Sequence, residues 1–218
     1  MLRFRCRIPH ILYLFLLLTL FLTTYAPANE NCEWVGRLSI GSCQTVASLD
    51  QLAFFNKGAS IVIMDFTDPK SPENLSMVVT PAPVNKISIS GDYAFIANDK
   101  AGLQIIDISD PSRAEIKGAL SVGDVVLDVV TLDDYACLAG ENRGLIIADI
   151  TNPANPKEIG NLDMQGVARS IAYRAPYIYL GVESAGLFKI DISNPEHPQL
   201  VGQLDSDGRM RDIALAGS

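Results

Sequence analysis

Histidine is nearly absent from this chain. It has two in 218 residues, His10 in an N-terminal apolar segment and His197 in the stretch "NPEHP". A Ser-His-Asp triad would have to use His197, and nothing in the sequence sets a nucleophile beside it. No catalytic residue is assigned. Neither CxxC nor HxxxH occurs, so the clustered ligands of a zinc site are missing too. No metal or cofactor is expected. Basic residues are also in short supply, 17 against 25 acidic. That balance repels phosphate backbones and disfavours nucleic acid as a partner. No segment beyond the N-terminal run repeats apolar residues every 3.6 positions, which excludes a helical architecture.

What is present begins with a three-part leader. Arg3, Arg5 and Arg7 precede an apolar run from Ile11 to Leu22, and Ala26-Pro27-Ala28 follows. The run is shorter than the ~20 residues that span a bilayer. Residues 1–28 are therefore expected to be a secretory signal peptide, and membrane contact is expected only before its cleavage. Without Arg3, Arg5 and Arg7 the basic residues fall to 14, against 25 acidic, for a net charge of −11. After export Cys32 and Cys43 either pair, closing a short loop, or stay as free thiols. Cys137 falls where neighbouring units have Phe95 and Tyr179, so it reads as a small buried hydrophobe.

The rest of the chain repeats itself. Asp65, Asp107, Asp149 and Asp191 are 42 residues apart, as are Pro69, Pro111, Pro153 and Pro195. Gly118, Gly160 and Gly202 keep the same spacing. Each unit carries four short β-type segments bounded by turn residues; in one they are "ARSIAYR", "YIYLGVE", "GLFKIDIS" and "QLVGQL". The third segment is apolar on both faces, with Leu103 and Ile105 on one side and Ile106 and Ile108 on the other. A strand buried on both sides sits between two other sheets. Four-stranded sheets of about 40 to 45 residues stacked around an axis make a β-propeller. The predicted class is all-β, with blades at about 44–80, 85–122, 126–163 and 168–205. A lone outer strand is expected at 33–39 and a lone inner strand at 211–217.

The units resemble the LVIVD repeat of secreted and cell-surface proteins, through Gly102-Leu103-Gln104-Ile105-Ile106-Asp107-Ile108-Ser109-Asp110-Pro111 and its copies at 144–153 and 186–195. A weaker copy runs from Ser60 to Pro69. The resemblance implies a propeller and implies no activity. The single strands at each end suggest either a partial ring, a fragment of a propeller of five or more blades, or a natural short form in which the ends rearrange.

Within each unit the Asp at the end of the third strand can accept hydrogen bonds from the amides of the following turn, while Pro stiffens it. Asp65, Asp107, Asp149 and Asp191, with Pro69, Pro111, Pro153 and Pro195, are read as turn devices. Calcium takes six to eight oxygens, more than one such turn supplies. Candidate binding residues lie in loops joining strands two to three and four to one, which differ between units: Asp99, Lys100, Glu141, Asn142, Arg143, Arg169, Glu183, Arg209 and Arg211. The expected function is an extracytoplasmic scaffold for binding or adhesion, secreted, periplasmic or at the cell surface, with a protein or glycan partner. The alternative is an enzyme, a hydrolase or lyase, with its site at the propeller axis and partly built by blades missing from this chain. Ionisable side chains converging on the axis with perturbed pKa values would favour the alternative.

Overall fold

Among the described residues, alternating β-branched and polar residues, cut every few positions by Gly, Pro, Asn or Asp, fold into sixteen strands in four separate sheets. The computed structural model describes residues 43–206 and 208–216. The expected signal peptide and the lone outer strand at 33–39 lie outside the described residues, as does Cys32.

The strands are β1 (Val46–Leu49), β2 (Leu52–Asn56), β3 (Ser60–Asp65) and β4 (Glu73–Val79) in the first blade. The second has β5 (Lys86–Ser90), β6 (Tyr93–Ala97), β7 (Leu103–Asp107) and β8 (Glu115–Leu120). The third has β9 (Val126–Leu132), β10 (Tyr135–Gly140), β11 (Gly144–Asp149) and β12 (Lys157–Leu162). The fourth has β13 (Ala168–Arg174), β14 (Tyr177–Val182), β15 (Gly186–Asp191) and β16 (Gln199–Leu204). Every sheet is an antiparallel meander in chain order. The fold is the all-β propeller architecture expected from the repeat.

Successive sheets stack face to face. Ile106 and Ile108 pack with Phe54, Ile61 and Ile63 of the first blade, while Leu103 and Ile105 pack with Leu138, Ile146 and Ala148 of the third. A third apolar layer joins Cys137, Leu145 and Ile147 to Ile178, Leu180 and Ile190 of the fourth. All of these side chains except Ile108 are fully buried, so β7 and β11 are covered on both faces, whereas β15 alternates buried with half-buried residues. At about 25 cal/mol per Å2 of apolar surface, these layers are the main source of stability. Cys137 is among them, and burial pushes its thiol pKa up, which leaves it unreactive.

The first strands lie side by side. Asn85 donates its side-chain amide to the Val126 carbonyl at 2.8 Å, the Ser88 and Thr131 hydroxyls meet at 3.2 Å, and the Ile171 amide donates to Asp128 Oδ2 at 3.0 Å. Inner strands of neighbouring blades are thereby tied directly to one another, at the place where a propeller has its axis.

The turns after each third strand share one chemistry. The carboxylates of Asp65, Asp107, Asp149 and Asp191 each accept from the amide two residues on, at 2.6, 3.1, 2.9 and 2.8 Å. Side-chain bonding within the same turn, from Thr67, Ser109, Thr151 or Ser193, holds all four carboxyls below the usual carboxylate range. Before each Pro a second Asx residue repeats the device. Asp68, Asp110, Asn152 and Asn194 accept from Lys70, Ser112, Ala154 and Glu196. In the second blade this turn tightens into a short 3-10 helix, Pro111–Arg113. Replacing Asp149 by Ala is expected to cost about 1 kcal/mol, in the range of a lost cap, read by urea denaturation. Unchanged stability together with lost calcium binding would identify the residue as a metal ligand instead.

One expectation is corrected. The residues predicted as a lone inner strand at 211–217 form no strand over Arg211–Ala216. An inner strand is held by ladder bonds from the second strand of its own sheet, and no described residue supplies one. The segment is held by other contacts: Ile213 lies against Gly181, and the Arg174 guanidinium donates to the Ala216 carbonyl.

Candidate functional site

Two groups of polar residues gather at the N-terminal ends of the inner strands. Their placement follows from register. Asp128 pairs with Ala139, and Ser170 with Gly181. Lys86 pairs with Ala97 in the second blade. These three residues stand one position before Val129, Ile171 and Ile87, the apolar column that repeats every 42 residues. They form one polar layer, and Asp212 holds the same repeat position after the fourth blade.

Asp128 is 4% exposed. Its Oδ1 accepts from the Val129 amide at 2.7 Å, its Oδ2 from the Ile171 amide at 3.0 Å, and the Lys86 ammonium lies 4.0 Å away. Desolvation outweighs Lys86 and the two amides, with Asp212 adding repulsion, and the carboxyl pKa is pushed up to about 6. Beside it Ser170 is 1% exposed, and its hydroxyl finds no hydrogen-bond partner among the described residues.

The second group lies one residue earlier in the repeat. In β13 the ladder passes from Ala168–Val182 to Ser170–Gly181, so Arg169 is a bulged residue. A bulge re-aims its side chain out of the sheet. In the third blade the same position is Leu127, skipped between Val126–Gly140 and Asp128–Ala139. Arg169, Arg211 and Gln44, which share this repeat position, line one cleft of about 560 Å3 together with Glu183 and Arg209. The Glu183 carboxylate accepts from Arg169 Nε through one oxygen, and its other oxygen lies 3.1 Å from Arg209 Nε in an ion pair. The Arg169 hydrogen bond is the main cause that holds its carboxyl below the usual range, with Arg209 and Arg211 adding to it.

Of the nine loop residues singled out from the sequence, Arg169, Glu183, Arg209 and Arg211 come together here. The other five do not. Asp99 adopts a positive φ of 49° and its carbonyl accepts from the Val126 amide at 3.0 Å, stitching the second blade's loop to β9. Lys100 is exposed, its amide bonded to the Asp99 side chain at 2.7 Å. The Glu141 amide donates to the Val125 carbonyl at 2.9 Å. Asn142 donates through its backbone and side-chain amides to Asp124, at 2.8 and 2.9 Å. Arg143 forks onto Glu158 at 2.9 and 2.5 Å and reaches the Val122 carbonyl at 2.8 Å. These contacts spend both side chains on joining loops to the frame. Cys43 is a free thiol bonded to the Thr45 carbonyl at 3.2 Å.

Lys86, Asp128, Ser170 and Gln44 were not among the residues picked from the sequence. The signal was the repeat itself. The column Ile87, Val129, Ile171 is apolar, and the position before it is polar in each blade.

Comparison with known proteins fits this architecture. The family model described as LVIVD repeat matches residues 83–121, 123–164 and 165–206. Among solved structures, the computationally designed Ika4 protein superposes with a TM-score of 0.60 at 8% identity, over 70% of this chain and 92% of that chain. At that identity the likeness concerns the fold alone. No curated protein matches the chain.

Proposed function

Since the chain belongs to the LVIVD repeat family, whose repeat builds a frame and specifies no chemistry, we propose that it is an extracytoplasmic scaffold for binding or adhesion. It docks a protein or glycan at the cell surface through the face carrying its two-to-three and four-to-one loops. One observation carries the reading: loops of unlike sequence on a stack of like blades present a polar cleft at Gln44, Arg169, Glu183, Arg209 and Arg211. Variable loops on a rigid frame are where recognition residues concentrate. The leader at residues 1–28 supports a secreted, periplasmic or surface location.

The full chain, displayed against arrays of cell-surface proteins and of glycans, is expected to bind a partner. Lys100→Glu and Glu141→Lys, both changes at the loop tips, are expected to weaken that binding about tenfold. Binding that ignores every loop substitution and responds to changes on outer strands would overturn the reading.

A second reading, an enzyme with an axial site, is favoured by Asp128. A buried carboxyl with its pKa pushed up to about 6, set between the Lys86 ammonium and the Ile171 amide, is the environment of a general base. Turnover of a hydrolase or lyase substrate panel that is abolished by Asp128→Asn would select it over the scaffold.

A further inference from the structure

We infer that the cleft between Arg169, Arg209 and Arg211 is a binding site for a small hydrophilic oxyanion, carried on a carboxylate or a phosphate group. The inference deepens the docking reading and rests on it for the choice of face.

Charge sets the cleft apart. The chain is acidic throughout, with 25 acidic residues against 17 basic. The described residues lining the cleft reverse that balance, with three arginines against one glutamate. Like charges held together on a folded protein repel and cost stability, so such a cluster normally carries a compensating anion. Glu183 supplies part of the compensation. Its two carboxylate oxygens are taken by Arg169 and Arg209, one each. Arg211 forms no ion pair among the described residues, and Arg209 meets Glu183 through Nε alone. The remaining guanidinium N–H groups are donors in a planar fork that fits carboxylate and phosphate oxygens.

Shape and polarity narrow the ligand further. A volume of about 560 Å3 falls among small-molecule sites, roughly 300 to 1,000 Å3. Such sites are usually lined by apolar and aromatic side chains. Here every described lining residue is charged or an amide. Among the described residues an apolar ligand would find no apolar side chain to pack on, and a sugar ring no aromatic platform. The ligand that matches is compact, strongly hydrated and negative.

Glu183 has a definite role in this site. It orients Arg169 and Arg209, and it also competes with the incoming anion. The Arg169 bulge fixes one wall of the cleft, because it is held between the ladder pairs Ala168–Val182 and Ser170–Gly181. Gln44 adds a neutral amide from the chain just before β1, able to donate to a bound oxygen.

The test is isothermal titration of the full chain at low salt with citrate, with inorganic phosphate, and with glucose as a neutral control. Citrate or phosphate is expected to bind and glucose is not. Citrate alone marks a carboxylate site, and phosphate alone a phosphate site. Arg211→Gln and Arg209→Gln, both at exposed positions, are each expected to weaken binding about tenfold, the loss of one charge-assisted hydrogen bond. Glu183→Gln is expected to tighten it severalfold by removing the competing carboxylate. Unchanged thermal melting of the Arg variants separates lost binding from lost folding. Absence of binding to both anions at about 10 mM, or binding that Arg211→Gln leaves intact, overturns the site. A chain that captures a partner through Lys100 and Glu141 but ignores both anions overturns the cleft alone. One that binds citrate and captures nothing on the arrays overturns only the docking reading.

Discussion

Gly160→Ala lowers stability by about 2 to 3 kcal/mol, while Gly202→Ala leaves it within about 0.5 kcal/mol. The two glycines occupy the same repeat position on outer strands β12 and β16. Both are in strand conformations that a side chain tolerates, so local propensity would favour alanine at each by about 0.5 to 1 kcal/mol. Space decides differently. A Cβ on Gly160 falls on the carbonyl oxygen of Pro195, in the turn of the next blade, and one on Gly118 falls on that of Pro153. Backbone cannot step aside as a flexible side chain can. A Cβ on Gly202 meets only Lys189 Cβ at 3.7 Å, an ordinary contact. The first blade has Ser76 here, and its hydroxyl donates to the Pro111 carbonyl at 2.6 Å, a different solution to the same approach. Urea melts of the two variants test the idea. Equal losses would show that the glycine serves its own strand and not the packing of one blade against the next. The expected loss corresponds to a fall in Tm of about 5 to 10 °C for Gly160→Ala.

Asp128→Asn is expected to stabilise the protein at pH 7, by up to about 3 kcal/mol, and to remove a pH dependence that the wild type shows. In the fold the Asp128 carboxyl has a pKa of about 6, against 3.8 for the unconstrained side chain. Between those values the folded state holds more protons than the unfolded state, so stability falls as pH rises through this window and levels off above about pH 6. A shift of roughly 2 units at about 1.4 kcal/mol each sets the ceiling. Asparagine keeps an oxygen for one of the two amides without the charge that burial penalises, while its NH2 leaves the other amide without an acceptor, so the gain falls below this ceiling. The wild type should therefore be more stable at pH 5 than at pH 7, and the variant should show a much smaller difference. As pH falls below the ordinary carboxyl value of 3.8, the turn carboxylates Asp65, Asp107, Asp149 and Asp191, whose pKa values are lowered, lose the stability their turn bonds contribute and oppose this trend, so the comparison belongs above that pH. A wild type that loses stability from pH 7 to pH 5 would show that Lys86 keeps Asp128 ionised. The Lys86→Met variant then distinguishes the two cases, since losing the ammonium drives the carboxyl pKa further up.

The fold was legible because its causes are local and repeated. Ile106 and Ile108 against Leu103 and Ile105 declare a strand covered on both faces, and the structure puts those pairs in two different apolar layers. The Asp and Pro spacing reads as a turn because an Asx side chain reaches only two residues along its own backbone. The site was legible in part. Arg169, Glu183, Arg209 and Arg211 could be picked out as loop residues, but so could Asn142 and Arg143, which the structure commits to Asp124 and Glu158. Exposure of a loop does not tell whether its side chains face a ligand or the frame.

Periodicity alone determined the strands, their four-fold grouping and the chemistry of their turns, since each depends on residues a few positions apart. Tertiary structure decided which glycines are indispensable, that Asp128 is buried beside Lys86, and that Arg169 shares one cleft with Arg209 and Arg211 from another segment. Those properties arise between residues 35 or more positions apart, brought together only when one sheet is laid on the next.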